Sequence, residues 1–290
     1  MTRHLLTGEE LSPDDVTRIV TRAGELKADP LASQVLAGRS VALIFEKPST
    51  RTRVSFETGV AELGGHPLVL RSGELQLSRG ESIRDTALVL SRHVAAIGIR
   101  TGPDADVEEL AAHASVPVVN MLTAGHHPCQ ALADLQTLQE RFGRLDGLKL
   151  AYVGDGNNVA RSLAILGAKA GVQVAVASPP GYELDPVAAA QLTNDPAEAV
   201  AGAHAVYTDV WASMGQEQEA VKRKKAFRAY QVNGALFALA RPDAVFMHCL
   251  PAKRDEEVTD SIMEHERSVV FDQAENRLHA QKALLMMMLA

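Results

Sequence analysis

Cysteine is nearly absent, with only Cys129 and Cys249 in 290 residues. They stand far apart and in no metal-ligand spacing. A disulfide scaffold is therefore not expected, and a reducing, cytoplasmic compartment fits better. A surplus of positive charge is missing too. The 29 basic residues are outnumbered by 36 acidic ones, giving a net charge of −7. That balance disfavours a broad basic face for nucleic acid, so any bound anion has to be held by a local cluster. No long apolar run is present near the end, where the stretch Ala283–Ala290 is far too short to span a bilayer. The segment MTRHLLTGEELSPDD lacks the apolar core of a secretory leader, so neither a leader nor membrane association is expected. Internal repeats and low-complexity segments are also lacking, which argues against solenoids and linker-rich chains.

What is there is the composition of a globular protein, 46% hydrophobic and 22% charged. The length fits two domains or one large α/β domain. Ser12-Pro13-Asp14-Asp15 announces a first helix, with a hydroxyl cap, a proline at the first position and two acids at the positive end of the dipole. Short apolar runs then alternate with segments of helical spacing. The strands predicted are Val41–Phe45, Leu68–Leu70, Ala95–Ile99, Val116–Asn120, Lys149–Val153, Val174–Ala177, Ala205–Thr208, Val245–His248 and Val269–Phe271. Strands apolar throughout and alternating with helices indicate parallel sheets covered on both faces. Ala131–Arg141 reads as one helix that Gly143 can end, and a new βαβ series opens at Lys149. The expectation is an α/β chain of two doubly wound parallel-sheet domains in tandem, residues 1–142 and 143–277. The last helix, 278–290, packs back on the first domain in this reading.

Such sheets bind ligands beyond the carboxyl ends of their strands. Polar and ionisable residues follow nearly every predicted strand, the pattern of a cleft between two domains. After Phe45 comes Pro48-Ser49-Thr50-Arg51-Thr52-Arg53. Proline stops the strand, and Ser49 and Thr50 can cap the next helix, leaving backbone N–H groups that favour an anion. Arg51 and Arg53 add fork donors suited to phosphate oxygens, and Thr52 a further donor. Basic residues at a helix start oppose its dipole, so two of them argue for a bound anion over an ordinary cap with solvated arginines. Arg100, at the next strand end, either shares that anion or is a surface residue. His127 precedes Pro128 and Gln130 at a helix start. A neutral imidazole there can polarise a carbonyl, although a lone histidine is more commonly a satisfied core residue.

The second half offers amide, acid and hydroxyl groups instead: Asn157, Asn158, Asp209 and Ser213. They suit an amino acid's ammonium and carboxylate better than a phosphate. Gly154-Asp155-Gly156-Asn157-Asn158-Val159 has valine where a dinucleotide loop needs its third glycine. No acid ends the following strand, so a nicotinamide cofactor is disfavoured. Cys249 beside His248 is by default a buried thiol, with a functional role open.

Taken together, Ser49-Thr-Arg-Thr52, His127-Pro-Cys-Gln130, Asp209…Ser213-Met-Gly215 and His248-Cys-Leu-Pro251 resemble the ornithine carbamoyltransferases, within the aspartate/ornithine carbamoyltransferase superfamily. The resemblance runs through Glu275-Asn-Arg-Leu-His-Ala-Gln-Lys282 and so covers essentially the whole chain. It implies a first domain for carbamoyl phosphate and a second for L-ornithine, with L-citrulline and phosphate as products and no cofactor or metal. Ser49, Thr50, Arg51 and Thr52, helped by Arg100, are then expected to hold phosphate. Thr52, Arg100 and His127 polarise the carbamoyl oxygen, Gln130 lies near the carbamoyl nitrogen, and Arg277 reaches the same site. Asn158, Asp209, Ser213 and Met214 bind ornithine's α-amino and carboxylate groups, and Cys249 and Leu250 line the place of its side-chain amine. Arg100, His127, Asp209 and Cys249 are the catalytic candidates. The resemblance further implies a role in arginine biosynthesis and a homotrimer in which Gln76 is donated by a neighbour.

Departures from the pattern are Thr123-Ala124-Gly125, where relatives carry acids, and a short segment Tyr182–Asn194. The second sheet is therefore expected to lack a strand or to carry a shortened one. Lys222-Arg-Lys-Lys225 reads as a solvated loop, with a lid that hinges at Gly215 as the alternative. Rival functions are a carbamoyltransferase for aspartate or putrescine, and a non-catalytic anion-binding paralogue.

Overall fold

The computed structural model describes residues 2–76, 80–187, 190–212 and 217–290. In chain order its elements are α1 (Pro13–Ala28), β1 (Ser40–Phe45), α2 (Thr50–Glu62), β2 (His66–Arg71), α3 (Ile83–Leu90), β3 (Ala96–Arg100), α4 (Asp104–His113), β4 (Val118–Leu122) and α5 (Pro128–Phe142). These are followed by β5 (Lys149–Val153), α6 (Asn158–Lys169), β6 (Gln173–Ala177), β7 (Ala190–Thr193), α7 (Pro196–Val200), β8 (Ala205–Thr208), α8 (Ala220–Phe227), α9 (Gly234–Phe237), β9 (Val245–His248), α10 (Asp260–Met263) and α11 (Val270–Leu289). The chain divides into two compact units, Met1–Gln136 with Glu275–Ala290, and Thr137–Ala274.

The first unit holds a four-stranded parallel sheet in the order β2-β1-β3-β4. Its core under one face gathers Ala42, Ile44, Ile97, Ile99, Val107, Leu110 and Val118. The chain winds from β1 outward to β2, then returns to place β3 on the other side of β1. That reversal is a topological switch point, where the strand ends splay and leave room for a ligand. Phe45 pairs with Arg100 across it, so the turn after β1 and the end of β3 are neighbours. Residues Glu275–Ala290, which include most of α11, belong to this unit. There the Lys282 ammonium donates to the Pro30 carbonyl at 2.6 Å and pairs with Glu62.

In the second unit five parallel strands run β7-β6-β5-β8-β9. Val153, Val206, Phe246, Phe227 and Trp211 are part of its buried core. Its switch point falls between β5 and β8. Each of the two candidate clusters thus sits where its own sheet reverses.

One expectation changes. Val269–Phe271 is no strand: Val270 and Phe271 open α11, and only Ser268 bridges to Phe246. A three-residue apolar run is too short to separate a strand from a buried helix start. Of the two outcomes expected for the second sheet, the loss of a strand does not occur, and the edge strand β7 is present as a short one of four residues.

Candidate active site

In the first unit, Ser49 caps α2 and its side chain accepts from the Thr52 amide at 3.3 Å. Thr50 is the first helical residue rather than a second cap. Thr52 is buried and becomes the meeting point of the site. Arg100 Nη1 donates to its Oγ1 at 3.4 Å, and Arg277 Nη2, from α11, donates to the same oxygen at 3.4 Å. Accepting from two guanidiniums leaves the Thr52 O–H as a donor. Arg277 Nη1 also donates to Gln130 Oε1 at 2.7 Å. Buried His127 completes the cluster. Burial, followed by the charges of Arg277, Arg100 and Arg51, holds its pKa well below the usual histidine range, so the ring is neutral at neutral pH. The cluster therefore offers a helix N-terminus, three guanidiniums and a neutral imidazole, in a chain that is acidic overall. Such a set binds a phosphate and donates hydrogen bonds to a carbonyl without adding a proton to it.

Arg53 does not share this role. Its Nε donates to Glu57 Oε1 at 2.6 Å, one turn along the helix. Gln76 is exposed, and no hydrogen bond joins it to the corner among the described residues. The acid missing from Thr123-Ala124-Gly125 is supplied from α4. Asp104 accepts from the Gly125 amide at 3.1 Å and the Thr123 hydroxyl at 2.5 Å, and lies 3.1 Å from His126 Nδ1. Cys129 is buried, and its thiol pKa is pushed up to about 12 by burial, so it is chemically quiet.

In the second unit the centre is Asp209, just past β8. Its Oδ1 accepts from the Cys249 thiol at 3.2 Å, and its Oδ2 accepts from Asn157 Nδ2 at 2.9 Å. Asn157 also caps α6, accepting from the amides of Val159 and Ala160 at 3.0 and 3.2 Å, and takes a hydrogen bond from Tyr152 at 3.1 Å. Asn158 is the first residue of α6. Behind Cys249, fully buried His248 accepts from the Leu250 amide at 2.8 Å through Nδ1 and places Nε2 3.3 Å from Glu257. Leu250 has a φ of 59°. This arrangement fixes a carboxylate and a thiol side by side, a fit for an amine. Asp209, His248 and Cys249 bring ligand atoms within 4.8 Å of one another. Within the trio the printed hydrogen bond is that of Cys249 to Asp209, while His248 takes the Leu250 amide at Nδ1 and faces Glu257 with Nε2. Ser213, Met214 and Gly215 lie outside the described residues.

Asn157, offered by the sequence beside Asn158 as a group for an amino acid, caps α6 and orients Asp209. One feature was missed in the sequence. The basic run is no loop but part of α8. Within it Arg223 is buried, 2.9 Å from Asp155, donating to the Trp211 carbonyl at 3.0 Å and lying 4.9 Å over the Tyr182 ring. The glycine turn after β5 is also closed to a dinucleotide. A Cβ on Gly156 meets the Leu184 amide nitrogen at 2.1 Å, because the segment after β6 lies across the turn, with the Gly156 amide donating to the Tyr182 carbonyl at 2.9 Å.

Comparison with known proteins bears on both clusters. The family model "Aspartate/ornithine carbamoyltransferase, carbamoyl-P binding domain" matches residues 3–140. The model "Aspartate/ornithine carbamoyltransferase, Asp/Orn binding domain" matches residues 146–288. The ornithine carbamoyltransferase of Acidothermus cellulolyticus is 52% identical over 303 residues, covering 100% of this chain and 97% of that one. Among solved structures, ornithine carbamoyltransferase from Thermus thermophilus superposes with a TM-score of 0.93 at 46% identity, covering 100% of both chains. The Pyrococcus furiosus ornithine carbamoyltransferase does so with a TM-score of 0.93 at 51% identity, covering 98% and 96%.

Proposed function

The chain belongs to the aspartate/ornithine carbamoyltransferase family, and we propose that it transfers the carbamoyl group of carbamoyl phosphate to the side-chain amine of L-ornithine, giving L-citrulline and phosphate. The observation that carries this reading is the convergence of Arg100 and Arg277 on Thr52 beside a neutral His127. In it, Ser49, Thr50, Arg51, Thr52 and Arg100 hold the leaving phosphate. Thr52, Arg100 and His127 donate to the carbamoyl oxygen as negative charge grows there in the transition state. Asn158, Asp209, Ser213 and Met214 take the α-amino and carboxylate groups of ornithine, and Cys249 and Leu250 flank its side-chain amine. The amine attacks only when neutral. A thiol that donates to Asp209 draws charge from the carboxylate and so lowers its hold on an ammonium, which favours the neutral form. Orientation and charge stabilisation supply the catalysis.

The finer reading is a homotrimer working in arginine biosynthesis in the cytoplasm, with Gln76 reaching a neighbour's site. Support for self-association comes from Val54 and Val89, 58% and 51% exposed, and from the apolar edge strand β2, which is only half-buried. Among the described residues no helix is long and apolar enough to cross a membrane. The test is citrulline and phosphate release in equal amounts, dependent on both substrates. Carbamoyl phosphate bound without any citrulline formed contradicts the proposal and favours a silent anion-binding relative.

A further inference from the structure

On α5, one turn beyond Gln130, stands Asp134. Both side chains are buried, with 1% and 0% of their surface exposed. Gln130 Nε2 donates to Asp134 Oδ1 at 2.8 Å, while Gln130 Oε1 accepts from Arg277 Nη1 at 2.7 Å. The amide has two faces, and these neighbours dictate which way it turns. Flipped over, its oxygen would meet a carboxylate and its NH2 a guanidinium, two repulsive contacts in place of two charge-assisted hydrogen bonds. A carbonyl oxygen has two lone pairs. With one used by Arg277, the second is an acceptor fixed on the guanidinium side of the amide.

We infer that Asp134 is a positioning residue that sets donor specificity: by holding the Gln130 amide in one orientation it presents an acceptor, and never a donor, to the NH2 of the carbamoyl group. The inference rests on the functional reading above. Acyl phosphates without an N–H, such as acetyl phosphate, leave that acceptor unmatched and bind more weakly. Asp134 makes no contact with substrate in this scheme and acts through Gln130 alone.

The experiment is calorimetric titration of the full chain with carbamoyl phosphate and with acetyl phosphate, in which a methyl group of similar size replaces the NH2. Wild-type protein is expected to prefer carbamoyl phosphate by roughly tenfold or more, as a buried unmatched acceptor would cost. Asp134→Leu removes one of the two contacts that fix the amide, leaving Arg277 alone to hold it, and is expected to lower the ratio severalfold. Asp134→Asn, whose amide oxygen still accepts from Gln130, keeps the preference. An Asp134→Leu protein that loses affinity for both phosphates equally, ratio intact, overturns the inference and leaves Asp134 a packing role. Should that variant not fold, a swapped pair decides. Gln130→Glu alone sets two carboxylates face to face and is expected to weaken both ligands. Combined with Asp134→Asn, it restores a donor–acceptor pair and with it the preference for carbamoyl phosphate. A folded double variant without that preference contradicts the inference. Wild-type protein that binds the two phosphates equally contradicts the inference alone, whereas one that binds neither contradicts the functional reading and the inference with it.

Discussion

Thr52 shows how much depends on a single hydroxyl. Valine there keeps the shape but leaves Arg100 and Arg277 without their shared acceptor and removes the O–H donor. Thr52→Val is expected to lower kcat by about 10²–10³-fold, the usual cost of one donor at a developing oxyanion, while Thr52→Ser stays within about tenfold; steady-state kinetics read both. In the proposed function Cys249 acts through Asp209. With Cys249→Ala the carboxylate holds an ammonium more firmly, so the acid limb of the pH–rate profile for ornithine moves to higher pH and the rate at neutral pH falls. An unmoved limb at an unchanged rate removes Cys249 from the mechanism. At this scale the sequence was legible where local chemistry follows directly from a motif, as at Ser49, which caps α2. It misled at Arg53, whose neighbour in the sequence implied a shared anion but whose partner is Glu57 on the next turn. Helical i,i+4 spacing makes that pair as legible as the phosphate reading, and only geometry chooses.

Among the elements, those with buried apolar runs were read nearly residue by residue: β5, β8 and β9 stand where the pattern put them. The edge strand β7 was not, because Ala190-Gln191-Leu192-Thr193 carries one large apolar residue on a half-exposed ribbon and so lacks the signal of a buried strand. Arg223 was hidden for the opposite reason. A cation in a basic run looks solvated until its buried acid, Asp155, is found far away in sequence. Burial raises the pKa of Asp155 and the charge of Arg223 opposes that rise, so the pair anchors α8 to the β5–α6 turn. That turn leaves no space for a side chain. Gly156→Ala drives a Cβ into the backbone at Glu183 and Leu184, and neither can yield as a flexible side chain would. A loss of about 2–4 kcal/mol is expected, within the range for overpacking and backbone strain, read by urea unfolding. A neutral result shows that the segment after β6 moves away at little cost.

For the whole molecule, the net charge of −7 and a cluster of three guanidiniums are compatible because the positive groups converge on one strand reversal. The same cluster makes stability depend on pH. His127 is held neutral by burial and by Arg277, Arg100 and Arg51, and His279 by burial and by Lys282 with Lys27, against the opposing pull of Glu275. Both pKa values are lowered on folding, so the unfolded chain takes up protons first. Stability is full above the unfolded histidine value of about 6.5 and is lost as pH falls below it. The urea midpoint is expected to drop between about pH 7.5 and about pH 5, and His127→Gln to flatten that drop. An equal drop in the variant assigns the effect to other groups.

In the proposed function the choice of acceptor amine rests on the Asp209–Cys249 pair. Initial rates of carbamoyl transfer, measured at one carbamoyl phosphate concentration with ornithine, aspartate, putrescine and N-acetylornithine side by side, test it most directly. Citrulline from ornithine, with the other three amines near background, is the expected result. A faster product from any other amine would keep the Ser49–Thr52 corner but contradict the roles given to Asp209 and Cys249.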